Sequence, residues 1–190
     1  MSLLQNIETE MKKLNYTFKK PPILIGGGAM EHYGMRSSGH DYDFMICIED
    51  YKELNRMGKH LNMFGGTKTD SDGLSTDMDN TFSSIDGLNI DLAVTMFQYR
   101  YEFFDHHTDV LGPYKVVSRE HLLLMKSLAA SNNDGWGDGC KNYMIKKQRD
   151  DMDLILKSIV EHQYKEGEWD NAISFNTPTV EINDVVQLVL

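Results

Sequence analysis

Three aspartates stand where carboxylates could act together. Asp41 and Asp43 alternate within the run Asp41-Tyr42-Asp43-Phe44-Met45-Ile46-Cys47-Ile48. On a strand this spacing turns both carboxylates to one side, with Met45 and Cys47 following them. Asp91 lies in a second apolar run, Leu88 to Thr95, on the side it shares with Asn89, Ala93 and Thr95. If the three acids converge, two carboxylates about 4 Å apart repel by about 4 kcal/mol at an effective dielectric near 20. Protonation, a basic partner or a cation must then offset the repulsion. Clustered carboxylate oxygens suit Mg2+, which takes one or two carboxylates together with substrate phosphates. Such ions can activate an attacking oxygen and stabilise a leaving one in phosphoryl or nucleotidyl transfer.

A second feature precedes the first aspartate. Ile23-Leu24-Ile25 reads as a short buried strand that stops at Gly26-Gly27-Gly28. Triple glycine lets the backbone approach a ligand closely, and its N–H groups can meet phosphate near a helix start. The run is not a Rossmann fingerprint, because the last glycine position of G-x-G-x-x-G falls on Glu31, and the chain has no P-loop motif.

The elements that must carry these residues follow from periodicity. Leu3, Leu4, Ile7, Met11 and Leu14 share a helical face over residues 2–14. Helices are expected from Ala29 to Met35 and from Glu49 to Leu61, with a polar loop from Arg36 to His40 between the first of them and the second strand. Both faces of that strand are apolar beyond the carboxylates, which places it inside a covered sheet. Gly65 to Asn80 reads as a loop or weak hairpin. Beyond Asp91, the pattern predicts a helix over 97–104 and a strand over 114–117. Ser118 is a candidate N-cap with Glu120 in the first turn. A long helix over 141–160 follows an exposed 131–139 loop that contains Trp136.

The local run GGGAMEHYGMRSSGHDYDF resembles the nucleotidyltransferase superfamily, in particular the small bacterial enzymes of abortive-infection and toxin–antitoxin type. That family carries a hydrophobic residue, two glycines or Gly-Ser, about a dozen residues and then Asp-x-Asp, with a third acid in a later hydrophobic strand. Ile25-Gly26-Gly27, Asp41-Tyr42-Asp43 and Asp91 match it. Weaker matches are Lys126 before Ser127 in an apolar helix, and Arg149-Asp150-Asp151-Met152-Asp153-Leu154. His40 stands where a small polar residue is common in the family.

The resemblance implies an α/β (α+β) nucleotidyltransferase fold. Its mixed central sheet would be flanked by helices over residues 1–117, and a helical region over 118–190 would pack on that core. It implies transfer of an NMP from an NTP, with ATP the expected donor, to an acceptor hydroxyl on a small molecule, RNA or protein, with release of pyrophosphate. Asp41, Asp43 and Asp91 would hold Mg2+, or Mn2+ in its place, and act in catalysis. Gly26 and Gly27 would line the phosphates, and Arg36, Ser38, Lys126 and Arg149 would contact the nucleotide. The rival is a catalytically silent module of the same fold that senses nucleotide or engages a partner protein.

The bulk properties narrow the field. A chain of 190 residues is long enough for a hydrophobic core without disulfide staples. A net charge of −10 repels a phosphate backbone at long range and disfavours unspecific nucleic-acid binding. Two cysteines, Cys47 and Cys140, suggest neither a disulfide framework nor a zinc site. Cys47, inside an apolar run, reads as a small buried hydrophobe. Glu8 and Glu10 interrupt any signal-peptide pattern, and a cytoplasmic location is expected. His106-His107 read as a solvated helix end, since neighbouring histidines face apart. Lys141, Lys146, Lys147 and Arg149 form either a cationic wall or a solvated face balanced by Asp150 and Asp151.

Overall fold

A computed structural model describes residues 2–39, 41–57, 61–64, 80–85, 87–96, 99–131 and 141–165. His40, the 65–79 segment, the 132–140 segment with Trp136 and Cys140, and the tail from residue 166 lie outside the described residues. The chain divides into two compact units, Met1–Met125 and Lys126–Leu190.

The first unit opens with α1 (Leu3–Leu14). Ser2 and Gln5 close a capping box, with Ser2 N–H donating to Gln5 Oε1 at 2.9 Å and Gln5 N–H to Ser2 Oγ at 3.3 Å. These bonds satisfy donors that the first helical turn leaves open. Ile7, Met11 and Leu14 bury the expected stripe, and Glu10 is buried within it.

β1 (Ile23–Ile25) is wholly buried and runs straight into α2 (Gly26–His32). The helix thus begins three residues before the expected Ala29 and ends three before Met35. Packing reverses the low helix propensity of glycine at this point. A Cβ on Gly28 would stand 2.7 Å from Leu24 Cδ1, so any larger residue would force the Leu24 side chain to move.

β2 (Tyr42–Met45) and α3 (Ile48–Arg56) follow, then β3 (Leu61–Phe64), β4 (Asn80–Ile85) and β5 (Ile90–Met96). The helix expected to reach Leu61 stops at Arg56, and Leu61 instead opens a strand. β3 and β4 pair antiparallel on either side of the expected loop or hairpin. β6 (Tyr99–Arg100) folds back on β5, so only α4 (Tyr101–Phe104) remains of the helix expected over 97–104. β7 (Asp109–Leu111), which no periodicity marks, pairs with β8 (Tyr114–Val116). α5 (Arg119–Ser131) starts at Ser118, whose Oγ accepts the His121 N–H at 3.2 Å.

The strands form one mixed sheet in the order β3-β4-β5-β2-β1-β8-β7, with β6 beside β5. β2–β5 and β1–β8 are the parallel pairs among the described strands. β2 lies inside the sheet between β1 and β5, and Tyr42, Phe44 and Met45 are buried.

A fully buried carboxylate anchors the segment that leads into β1. Asp50 accepts Tyr16 Oη at 2.8 Å, Lys19 N–H at 2.9 Å, Lys20 N–H at 3.4 Å and Cys47 Sγ at 3.0 Å. Burial, reinforced by Asp50, pushes the Cys47 thiol up to about 12, so this cysteine stays protonated.

The second unit contains α6 (Lys141–Lys165), five residues longer than its sequence pattern suggested. No helix among the described residues is long and apolar enough to cross a membrane.

Candidate active site

β2 and β5 lie side by side in parallel, with Tyr42 opposite Ile90 and Asp43 opposite Asp91. Residues in register on neighbouring strands share a face of the sheet, so the two carboxylates emerge together. Asp41, two residues ahead of Asp43, belongs to the same side. Asp41 is exposed, while Asp43 and Asp91 are half-buried. Burial raises the Asp91 carboxyl above the ordinary aspartate range, and the negative charge of Asp41 adds to the rise. Asp41 is the neighbouring carboxylate that contributes to this rise.

β1 brings the glycines to the same place. Ile25 is the register partner of Asp43, and Gly26 comes next in the chain. Gly26 has φ +58°, and a Cβ there would stand 2.1 Å from Asp43 Oδ2. Both facts demand glycine, one through backbone conformation and the other through space. Gly27 faces the loop before β2, where its Cβ position lies 3.5 Å from both Cα and Cβ of Ser38.

Ser38 is fixed by Glu31, which its sequence pattern does not single out. Its N–H and its Oγ both donate to Glu31 Oε2, at 2.8 and 2.5 Å. The signal was the spacing: Glu31 follows Gly27 by four residues and so shares its face of α2. Arg36 lies in the same loop, where Nη1 donates to the Ser37 carbonyl at 2.9 Å. His32, close to the glycines in sequence, instead pairs with Asp109 at 2.8 Å.

The first unit thus contains Gly26, Gly27, Arg36, Ser38, Asp41, Asp43 and Asp91. Lys126 and Arg149 belong to the second unit. Lys126 Nζ lies 2.8 Å from the buried carboxylate of Asp151, so its charge is already matched. Arg149 is exposed, and on the same helix Lys146 pairs with Asp150 at 2.5 Å.

The three aspartates fit a hard cation, since they offer only carboxylate oxygen. Among the described residues no three acidic, histidine or cysteine side chains form a ready metal cage. Mg2+ does not require one, because it commonly keeps waters and binds through one or two carboxylates plus substrate phosphates.

No protein-family model and no curated protein matches the sequence. Among solved structures, the chain is similar to the Megavirus polyadenylate synthase, at 14% identity and a TM-score of 0.42. The match covers 83% of this chain and 31% of that one, so this chain spans less than a third of the synthase. It is also similar to an H. pylori protein described as a candidate nucleotidyltransferase, at 14% identity and a TM-score of 0.32, covering 100% of this chain and 95% of the other. Likenesses this distant leave the functional reading to rest on the site itself.

Proposed function

We propose that the chain is a metal-dependent nucleotidyltransferase that moves an NMP from an NTP to an acceptor hydroxyl and releases pyrophosphate. The observation that carries this reading is the in-register pairing of Asp43 with Asp91, with Gly26 packed against the Asp43 carboxylate. Carboxylates confined on one face of adjacent buried strands are costly to fold, and a site for a cation accounts for that cost.

In this reading Asp41 and Asp43 would hold Mg2+ together with the triphosphate, and Asp91 would complete the cation site. The ion would supply charge neutralisation for the transfer. The acceptor oxygen forms a bond to the α-phosphorus as the bond from that phosphorus to the pyrophosphate oxygen breaks. The hydroxyl proton passes to the Asp91 carboxylate, and pyrophosphate leaves with the electron pair. Gly26 leaves the Asp43 carboxylate the space that any Cβ would occupy. Lys126 takes no part in this reading, since its ammonium is engaged by Asp151.

The net charge of −10 favours a small-molecule or protein acceptor over an RNA backbone. The test is incubation of the full chain with Mg2+ and each NTP labelled at the α-phosphate, against RNA, protein and small-molecule fractions, with Asp43→Ala alongside. Label in one fraction, lost in the variant, supports the reading and identifies the acceptor class. NTP binding without label in any fraction favours the silent nucleotide-sensing module.

A further inference from the structure

The loop from Arg36 to Gly39 delivers the chain from α2 to the first aspartate, and it is pinned at Ser38. Both hydrogens of Ser38, on N and on Oγ, go to the single oxygen Glu31 Oε2. Carboxylate acceptors make the shorter and stronger class of hydrogen bond. Gly27 and Glu31 lie one helical turn apart, so the loop is laid along that face of α2, with Ser38 against Gly27 at one end. The phosphate contact expected of Ser38 requires a donor, and both of its donors are spent inside the protein.

We propose that Glu31 is the positioning residue of this site. By holding Ser38 against Gly27 it sets where the chain enters β2, and hence where Asp41 and Asp43 stand relative to Gly26. The inference deepens the nucleotidyl-transfer reading and rests on it.

The test is the affinity of the full chain for Mg·ATP and the other three Mg·NTPs by isothermal titration calorimetry, with thermal unfolding measured in parallel. Glu31→Ala is expected to weaken binding about tenfold, as loss of hydrogen bonds to a charged group does. Glu31→Gln keeps an oxygen that accepts both bonds, and should stay within about threefold of wild type. Ser38→Ala should weaken binding about threefold, and adding it to Glu31→Ala should cost nothing more, because both changes break one contact.

A purely structural role would lower the unfolding temperature of Glu31→Ala and leave its affinity unchanged. That result, tighter binding, additive effects or failure of Gln to rescue would each overturn the proposal while leaving the transfer reading intact. Should Glu31→Ala fail to fold, Ser38→Ala decides, and unchanged affinity overturns the proposal. A wild-type protein that binds no nucleotide sinks the transfer reading and the role of Glu31 with it.

Discussion

Glu10 on α1 accepts the backbone N–H of Asn89 at 3.2 Å, and the Asn89 carbonyl in turn accepts the N–H of Tyr42 at 3.1 Å. One helical side chain thereby connects to the entry of both acid-bearing strands, two residues before Asp91 and between Asp41 and Asp43. Lys13 pairs with the same carboxylate at 2.6 Å and, with Asn89, holds it below the ordinary glutamate range. Glu10→Ala removes the acceptor and is expected to lower the unfolding free energy by about 1–2 kcal/mol. Urea denaturation measures this, and an unchanged midpoint would show that water replaces Glu10 without loss.

Burial of Asp91, with the charge of Asp41 beside it, predicts a trade between stability and activity. Asp91→Asn removes one charge from the face that also carries Asp41 and Asp43. Transfer should be abolished, while without divalent cation the unfolding temperature should rise by roughly 2 °C. A fall in that temperature would show that the carboxylate is held by favourable contacts.

Two glycines with left-handed backbones separate strain from steric contact. Gly34 has φ +71° with no heavy atom within 4 Å of its Cβ position, so Gly34→Ala should cost about 1 kcal/mol and leave activity alone. Gly26→Ala meets a similar backbone penalty and also drives a methyl into Asp43 Oδ2. It should reduce transfer by about a hundredfold or more, beyond what its loss of stability explains. Equal activity in the two variants would remove the Gly26–Asp43 contact from the mechanism.

His121 carries a pH dependence. Its Nδ1 is buried without a hydrogen-bond partner, and its ring packs against Phe103 and Phe104. Burial lowers its pKa, and the nearby His106 and His107 add to the fall, while Glu120 acts against it. With the folded value below the unfolded one, the unfolded chain binds the proton first. The stabilisation is full above about pH 6.5 and is lost as pH falls through the folded value, with a slope of at most about 1.4 kcal/mol per pH unit. His121→Phe should flatten that part of the stability profile between pH 7.5 and 5.5, and an unchanged slope would assign the dependence to other groups.

The acids and glycines were legible because strand alternation and a glycine run leave local signatures. Asp41, Asp43 and Asp91 read as two strand-borne clusters, and β2 and β5 fall within the alternating runs, although the run from Asp41 to Ile48 ends as a strand at Met45, where Cys47 turns to cap α3, and β5 is shifted to Ile90–Met96. Glu31 and Glu10 were not singled out, because a carboxylate on a helix ordinarily means a solvated face. Glu10 nevertheless occupies the apolar stripe of Ile7, Met11 and Leu14, and that position was the available clue. The start of α2 was misplaced because glycine propensity is local, whereas the fit of Gly28 against Leu24 is set by packing. β4 and β7 escaped because their strand identity comes from neighbours, as Asn-Thr-Phe-Ser-Ser-Ile and Asp-Val-Leu lack a strong period of their own.

Asp43 and Asp91 meet across parallel strands, and parallel neighbours cannot be joined by a tight turn. Everything between them, including α3 and the β3–β4 pair, must be looped out before the two carboxylates face each other. Closing that loop is an entropic cost that local contacts do not offset. On the nucleotidyl-transfer reading, a chain being synthesised or refolded therefore gains activity only once β2 and β5 have paired.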